Sequence, residues 1–290
     1  GVFEPRDLEQ CSRLKLWHVI HCSEQIDMLA AHKTHEPHRV FLKMNSGMNR
    51  LGFTPAAFRS AYTRLAALPQ VDEISLMTHL SDADGQRLGA DGQMHEGADY
   101  QVQTFLQTTR DLSGEVSLAN SAALLRYPQL GADWVRAGIA LYGSTPDAAS
   151  HSAADWGLLP AMSLHSRIIA VQNLQAGDTV GYGSVFTADR AMRIGIVACG
   201  YADGYPRTTP TGTPILVDGL PSRTLGRVSM DMLAVDLSEL PTAGYGSAVT
   251  LWGQADNGAI VSIDTIAAAS GTLGYELMCG LNRRVPVQVV

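Results

Sequence analysis

The stretch VFLKMNSGMNRLGFTPAAFRSAYTRLAAL, residues 40–68, decides the fold of the first half of the chain. Val40 to Lys43 reads as a short apolar strand. A polar, Gly-containing loop follows and carries Asn45 and Arg50. Pro55 to Leu68 then has helical spacing, with Pro55 tolerated in the first turn. The same strand–loop–helix unit recurs on both sides. Leu16–Ile20 reads as a strand, followed by a helix through Ala31 that Ser23 can cap. Glu73–His79 is a strand, Ser81–Gly97 a polar Gly-rich loop, and Ala98 to Asp111 a helix. Val116–Ala119 is a strand with a short helix near Ala122, and Val135–Tyr142 is one more strand. This alternation predicts an α/β fold with a parallel sheet or (β/α) barrel, whose active site sits where strands end and loops begin.

The second half changes character. Ser144–Pro160 is rich in Ser, Ala, Asp and Pro and reads as a linker. Short strands broken by Gly, Pro and Asp follow: Leu164–Val171, Thr179–Tyr182, Arg193–Ala198, Pro214–Val217, Met232–Val235 and Ala248–Leu251. One helical segment, Ile263–Ser270, interrupts them. The expected organisation is an α/β domain over residues 1–143, a linker over 144–160 and an antiparallel β domain over 161–290.

Bulk properties narrow the function. The chain of 290 residues carries a net charge of -7 and has no Lys/Arg-dense stripe, which argues against nucleic acid and anionic membranes as partners. No apolar run approaches the ~20 residues of a membrane span, and the first seven residues do not read as a signal peptide. The four cysteines lack metal-site spacing, so free thiols in a reducing cytoplasm and no metal are expected.

Several loops could carry chemistry, and each also has a plain structural reading. Lys43 and Arg50 flank the loop after a strand, where an Arg can grip a carboxylate; the loop could equally be solvated. His79 ends an apolar strand, as a structural histidine can. Asn120-Ser121 stands at a strand-to-helix junction, suited to a phosphate or to simple capping. Arg136, in an apolar run beside Gly138 and Ile139, needs a partner such as an acidic neighbour or a cofactor. Gly226–Asp231, with Met230, reads as a turn. Cys199–Arg207, CGYADGYPR, holds more glycines and tyrosines than a turn requires. No triad, zinc motif, P-loop or dinucleotide fingerprint is present, and these residues alone do not define a reaction.

Taken together and in order, the segments resemble the alanine racemase family. The resemblance rests on Lys43–Gly52, Met77–Asp84, Asn120–Ala123, Arg136–Gly143, Val180–Gly183, Gly200–Pro206, Gly226–Asp231 and Arg284-Val285-Pro286. It implies an N-terminal (β/α)8 TIM-type barrel, here truncated at its N-terminus, and a C-terminal β domain. It further implies a cytoplasmic homodimer whose active sites take residues from both subunits, pyridoxal 5'-phosphate as cofactor, and racemisation of L- and D-alanine for peptidoglycan or alanine catabolism.

The resemblance also assigns roles. Tyr201 matches a catalytic base delivered to the partner's barrel, and Arg136 the arginine bonded to the cofactor ring nitrogen. A guanidinium there keeps that nitrogen unprotonated and favours racemisation over side reactions. His79 matches a histidine linking these two. Asn120 and Ser121 fall in the cofactor-binding segment, with Ser121, Gly138 and Ile139 at the phosphate. Arg50 matches the arginine near the substrate carboxylate, and Met230 a residue lining the pocket. Lys43 matches a lysine carbamylated in many members, although Asn45 replaces their Asp. Arg283 stands where some members place a phosphate-binding Tyr. None of Lys15, Lys33 and Lys43 fits the motif of the cofactor-bonding lysine, which belongs to an earlier barrel segment. An N-terminal companion fragment bearing it is therefore expected. Two other readings stay open: a racemase of broader specificity, and an inactive fragment that only dimerises or binds.

Overall fold

The computed structural model describes residues 2, 4–33, 36–89 and 92–289. Two compact units emerge, 1–138 and 139–290.

The first unit runs α1 (Pro5–Arg13), β1 (His18–Ile20), α2 (Ser23–Ala31), β2 (His38–Lys43), α3 (Pro55–Ala66), β3 (Val71–Met77), β4 (Gln86–Leu88), β5 (Met94–Glu96), α4 (Asp99–Thr109), β6 (Val116–Asn120), α5 (Ser121–Arg126) and β7 (Trp134–Arg136). Five strands form a parallel sheet in the order β1-β2-β3-β6-β7. Such a sheet needs helical crossovers, and the sequence supplies them. Strand β2 shows how its two faces are used. Val40 and Leu42 are buried beside Phe58, Leu65 and Phe105, while Arg39, Phe41 and Lys43 alternate onto the opposite face. Each large apolar side chain buried there contributes ~1.5–3 kcal/mol. Rings of Trp17, Phe41 and Trp134 meet at centroid separations of 5.2, 5.3 and 5.9 Å. Trp17 precedes β1 and Trp134 opens β7, the two edge strands, so the sheet curls at its amino end as a barrel wall does.

Several expectations shift. Ser23 is the first helical residue of α2 and Cys22 the cap position, with no side-chain capping bond. The loop over 81–97 contains the antiparallel β4–β5 ribbon. Strand β7 ends at Arg136, and Ile139–Tyr142 winds into a 3-10 turn rather than continuing the strand. The reason is local: the Gly138 N–H is taken by Ser121 Oγ at 2.8 Å instead of a neighbouring strand.

The second unit holds β8 (Leu164–Leu174), β9 (Thr179–Val180), β10 (Phe186–Thr187), β11 (Met192–Val197), β12 (Pro214–Val217), β13 (Leu220–Leu225), β14 (Leu233–Asp236), β15 (Ala248–Gln254), β16 (Ile260–Val261), α6 (Ile263–Ser270) and α7 (Gly274–Gly280). The order β12-β13-β14-β11-β8-β15 closes on itself because β12 also pairs with β15. Every pairing is antiparallel, and closure removes the exposed edges of those strands. Trp252 and Tyr205 stack in the core at 6.0 Å and are fully buried. Residues 144–160 form turns anchored within this unit: Ser144 Oγ bonds Asp264, and the buried Asp147 accepts from His151 at 2.8 Å. Helix α7 adds to the single helix expected. Among the described residues no helix is long and apolar enough to cross a membrane. Cys11, Cys22, Cys199 and Cys279 are all free.

Candidate active site

In a parallel sheet all carboxyl ends lie on one side. Lys43 ends β2, His79 follows β3 by two residues, Asn120 ends β6 and Arg136 ends β7. Topology alone therefore brings four separately predicted residues to one end of the first unit. Arg50 sits on the loop after β2. That loop is pinned by Asn45 N–H to Phe53 O and Phe53 N–H to Lys43 O, both 2.9 Å. Gly52 makes the closure possible, since a Cβ there would lie 2.6 Å from the Asn45 nitrogen.

Among the described residues no acid holds Arg136. Its Nη1 donates to Ser117 Oγ at 2.5 Å, and Nη2 to the carbonyls of Thr78 at 2.8 Å and Leu118 at 3.2 Å. Neutral oxygens orient the guanidinium but leave its charge uncancelled. The acidic partner considered from sequence is not what holds it. The consequence reaches its neighbours. Burial, then Arg136, Lys43 and Arg50, push the His79 pKa down to about 4, so the imidazole is neutral at pH 7. Burial and the two arginines also lower the Lys43 ammonium.

Gln101 is a contributor that sequence reasoning missed. It is buried on α4, donates to His79 O at 3.0 Å and accepts from Ser81 N–H at 2.7 Å. Ser46 and Thr78 share a buried bond of 2.7 Å beside it. A polar residue at an inward helical position was the available signal. Asn120 Oδ1 caps α5 through Ala123 N–H at 3.0 Å, and its Nδ2 donates to Leu80 O at 3.0 Å. Its side chain is thus committed to structure. Ser121 is buried and accepts from Gly138 N–H. Ile139, the next residue along the chain, opens the second unit.

The second unit answers why CGYADGYPR holds two tyrosines. Tyr205 is fully buried against Trp252 and anchors the loop, whereas Tyr201 is 39% exposed and is presented by it. Gly200 lets the backbone pass another loop closely: a Cβ there would lie 2.3 Å from Ser229 O and 2.4 Å from Met230 O. Tyr201 N–H donates to Ser229 O at 3.1 Å and Ala202 N–H to Met230 O at 2.9 Å. Tyr201 and Met230, predicted from separate segments, are therefore on paired loops, and Met230 is exposed beside it. Arg283 is exposed on the segment after α7.

One unit is a barrel-type parallel sheet with a cationic carboxyl end and the other a β domain presenting an exposed tyrosine, which is the pattern of a two-domain enzyme with a place for a carboxylate or phosphate group. The alanine racemase N-terminal domain profile matches residues 1–146, and the C-terminal domain profile residues 161–289. The chain belongs to the alanine racemase family. Alanine racemases of Acidovorax ebreus and Methylibium petroleiphilum are 67% and 65% identical to it, each over the whole chain and over 78% and 77% of their own lengths. A crystal structure of the biosynthetic alanine racemase from Pseudomonas aeruginosa superposes with a TM-score of 0.89 at 47% identity. It covers 99% of this chain and 76% of that one. The family's members are isomerases that depend on pyridoxal phosphate.

The residues present fit that cofactor's ring nitrogen and phosphate. Arg136 offers a fixed charge with no competing carboxylate, and Ser121 a buried hydroxyl next to the Gly138 backbone. They do not supply its covalent anchor. Lys15 is exposed and pairs with Glu36 at 3.5 Å, Lys33 is exposed, and Lys43 lies among arginine charges.

Proposed function

We propose that this protein interconverts L- and D-alanine with pyridoxal phosphate, using Tyr201 as the base on one face of the substrate. The observation that carries the reading is the basic set of Lys43, Arg50, His79 and Arg136 at the carboxyl end of the parallel sheet, for which no ion pair is seen among the described residues. Arg50 binds the substrate carboxylate. Arg136 would donate to the ring nitrogen of the cofactor, and Ser121, with the backbone of Gly138 and Ile139, would hold its phosphate once the Gly138 N–H leaves Ser121 Oγ. Pyridoxal phosphate bound there supplies the electron sink that acidifies the Cα proton. Tyr201 Oη takes that proton from L-alanine and returns one to Cα in the reverse direction. Tyr201 takes the proton as its phenolate, and His79, neutral and next to Arg136, donates a hydrogen bond that steadies the phenolate oxygen. Met230 limits the pocket to a small side chain. Family likeness supports a homodimer in which Tyr201 and Met230 serve the other subunit.

A lysine is required as the second base and as the covalent anchor. The placement of the three lysines supports a source outside residues 1–290, in the part of the relatives that this chain does not span. Lys43 instead suits carbamylation: its lowered pKa frees an amine that adds CO2 with loss of a proton, turning a cation beside Arg50 into an anion. Four free cysteines support a reducing compartment, the cytoplasm.

The test is racemisation of L-alanine, with D-alanine detected by a D-amino-acid oxidase couple, on the protein together with its lysine-bearing portion. Borohydride reduction and peptide mapping should place the pyridoxyl group outside residues 1–290. A pyridoxyl group on Lys15, Lys33 or Lys43 in active protein overturns the assignment of the anchor.

A further inference from the structure

Asp203 has no place in the roles above, yet it is the hub of the Tyr201 loop. Its Oδ2 accepts from Gly200 N–H at 2.8 Å, its Oδ1 from Arg284 Nε at 2.7 Å, and its carbonyl from Asn282 N–H at 3.0 Å. The same guanidinium donates through Nη2 to Asp231 at 2.5 Å. One arginine from the segment after α7 therefore grips two loops at once: the one bearing Tyr201 and the one bearing Met230.

We propose that Arg284, bridging Asp203 and Asp231, is a positioning residue that fixes Tyr201 for proton transfer at Cα. This rests on Tyr201 being the base. The geometry favours positioning over stability. Asp231 and Arg284 are 54% and 45% exposed at their side chains, and exposed ion pairs add little to folding. What a two-pronged guanidinium adds is direction, because its planar fork fixes both carboxylates relative to one frame. Tyr201 needs that support. Its loop turns on Gly200 and on Gly204 at φ +108, both free of side chains, and it is joined to the Met230 loop by the Tyr201 and Ala202 amide bonds. Tyr205 secures the far end of the loop in the core; the clamp secures the end nearest Tyr201. The two carboxylates hold the guanidinium more firmly protonated than usual.

The experiment uses the complete cofactor-loaded enzyme and four variants: Arg284→Ala, Asp231→Asn, Tyr201→Phe and Arg284→Ala with Tyr201→Phe. Misplacing a reacting group by about 1 Å costs up to ~10²-fold, so Arg284→Ala should lower kcat by about 10–100-fold while KM for L-alanine stays within about threefold. Asp231→Asn should do the same to a smaller extent, and it remains informative if Arg284→Ala fails to fold. The isotope effect with α-deuterated L-alanine should rise, since Tyr201 removes that proton, while that with α-deuterated D-alanine should not. In the Tyr201→Phe background Arg284→Ala should have no further effect. Amide exchange over 200–205 should accelerate in Arg284→Ala. Equal kcat losses in both backgrounds, wild-type kinetics of Arg284→Ala, or unchanged amide exchange would each overturn the proposal. Full activity of Tyr201→Phe would instead overturn the base assignment, and the exchange measurement would still report on the clamp.

Discussion

The cationic end of the first unit and the tyrosine loop of the second solve the same problem by opposite means. Arg136 is fixed by partial burial: three neutral oxygens of β6 and the β3 loop hold the guanidinium. Tyr201 is fixed while exposed, by glycines that let two loops touch and by an anchor, Tyr205, four residues away. The first design spends folding energy to keep a charge uncancelled. The second leaves the side chain nearly free of the fold. Function and stability should therefore be coupled at Arg136 and separable at Tyr201.

Tyr201→Phe gives the largest expected effect. A placed proton-transfer group is typically worth ~10²–10⁴-fold, so kcat should fall by that factor with only a modest change in KM. Exposure of the ring implies that unfolding free energy stays within about 0.5 kcal/mol of wild type. Denaturant titration and steady-state kinetics on one preparation check both halves. A large stability loss would break the contrast.

Arg136→Gln should move both quantities. It leaves Ser117 Oγ and the Thr78 and Leu118 carbonyls short of a donor, at a cost of about 1–3 kcal/mol. It also removes one of the charges that, after burial, lower the His79 pKa, so the His79 imidazole should titrate higher than in wild type, visible in its NMR proton shifts. An Arg136→Gln protein as stable as wild type would mean the seat is not what fixes the arginine.

The same contrast explains what the sequence showed. Strand β2, strand β12 and helix α6 were legible because their apolar spacing is local, and Lys43 and His79 because strand ends are, whereas Arg136 stood out only as a charge in an apolar run and its place at a strand end emerges from the fold. Strand β13 was not: Leu-Pro-Ser-Arg-Thr-Leu looks like a loop. Pro221 is tolerated because β14 pairs only with Thr224 and Leu225, leaving Pro221 facing β12 alone. Strand β7 was overextended because apolar content cannot reveal that Ser121 takes the Gly138 N–H. The purpose of Asp203 was invisible because its partner lies 81 positions along the chain. Tyr201 and Tyr205 were separated by the family resemblance and not by local pattern; the physical difference is that Tyr205 stacks on Trp252 in the core.

The smallest effect is a pH dependence of the first unit, and it comes from burial far from the cationic end. His18 is 6% exposed, and its Nε2 lies 3.1 Å from His38 Nδ1. The outer nitrogens, His18 Nδ1 and His38 Nε2, have no bonding partner. A proton added to either ring would create a buried cation beside another imidazole, and burial with the neighbouring His38 lowers the His18 pKa to about 4. The unfolded chain titrates near its ordinary value of about 6.5. Between these values the unfolded state binds more protons, so stability is full above about pH 6.5 and falls as pH drops toward 4. The slope for one such group approaches about 1.4 kcal/mol per pH unit. His79 acts in the same window with less weight, being partly exposed. Urea unfolding at pH 7 and pH 5, followed by fluorescence of Trp17 and Trp134, should show this loss, and His18→Asn should reduce the difference between the two pH values. An unchanged difference would move the acid sensitivity from His18 to His38, His21 or His79, whose pKa values burial also lowers.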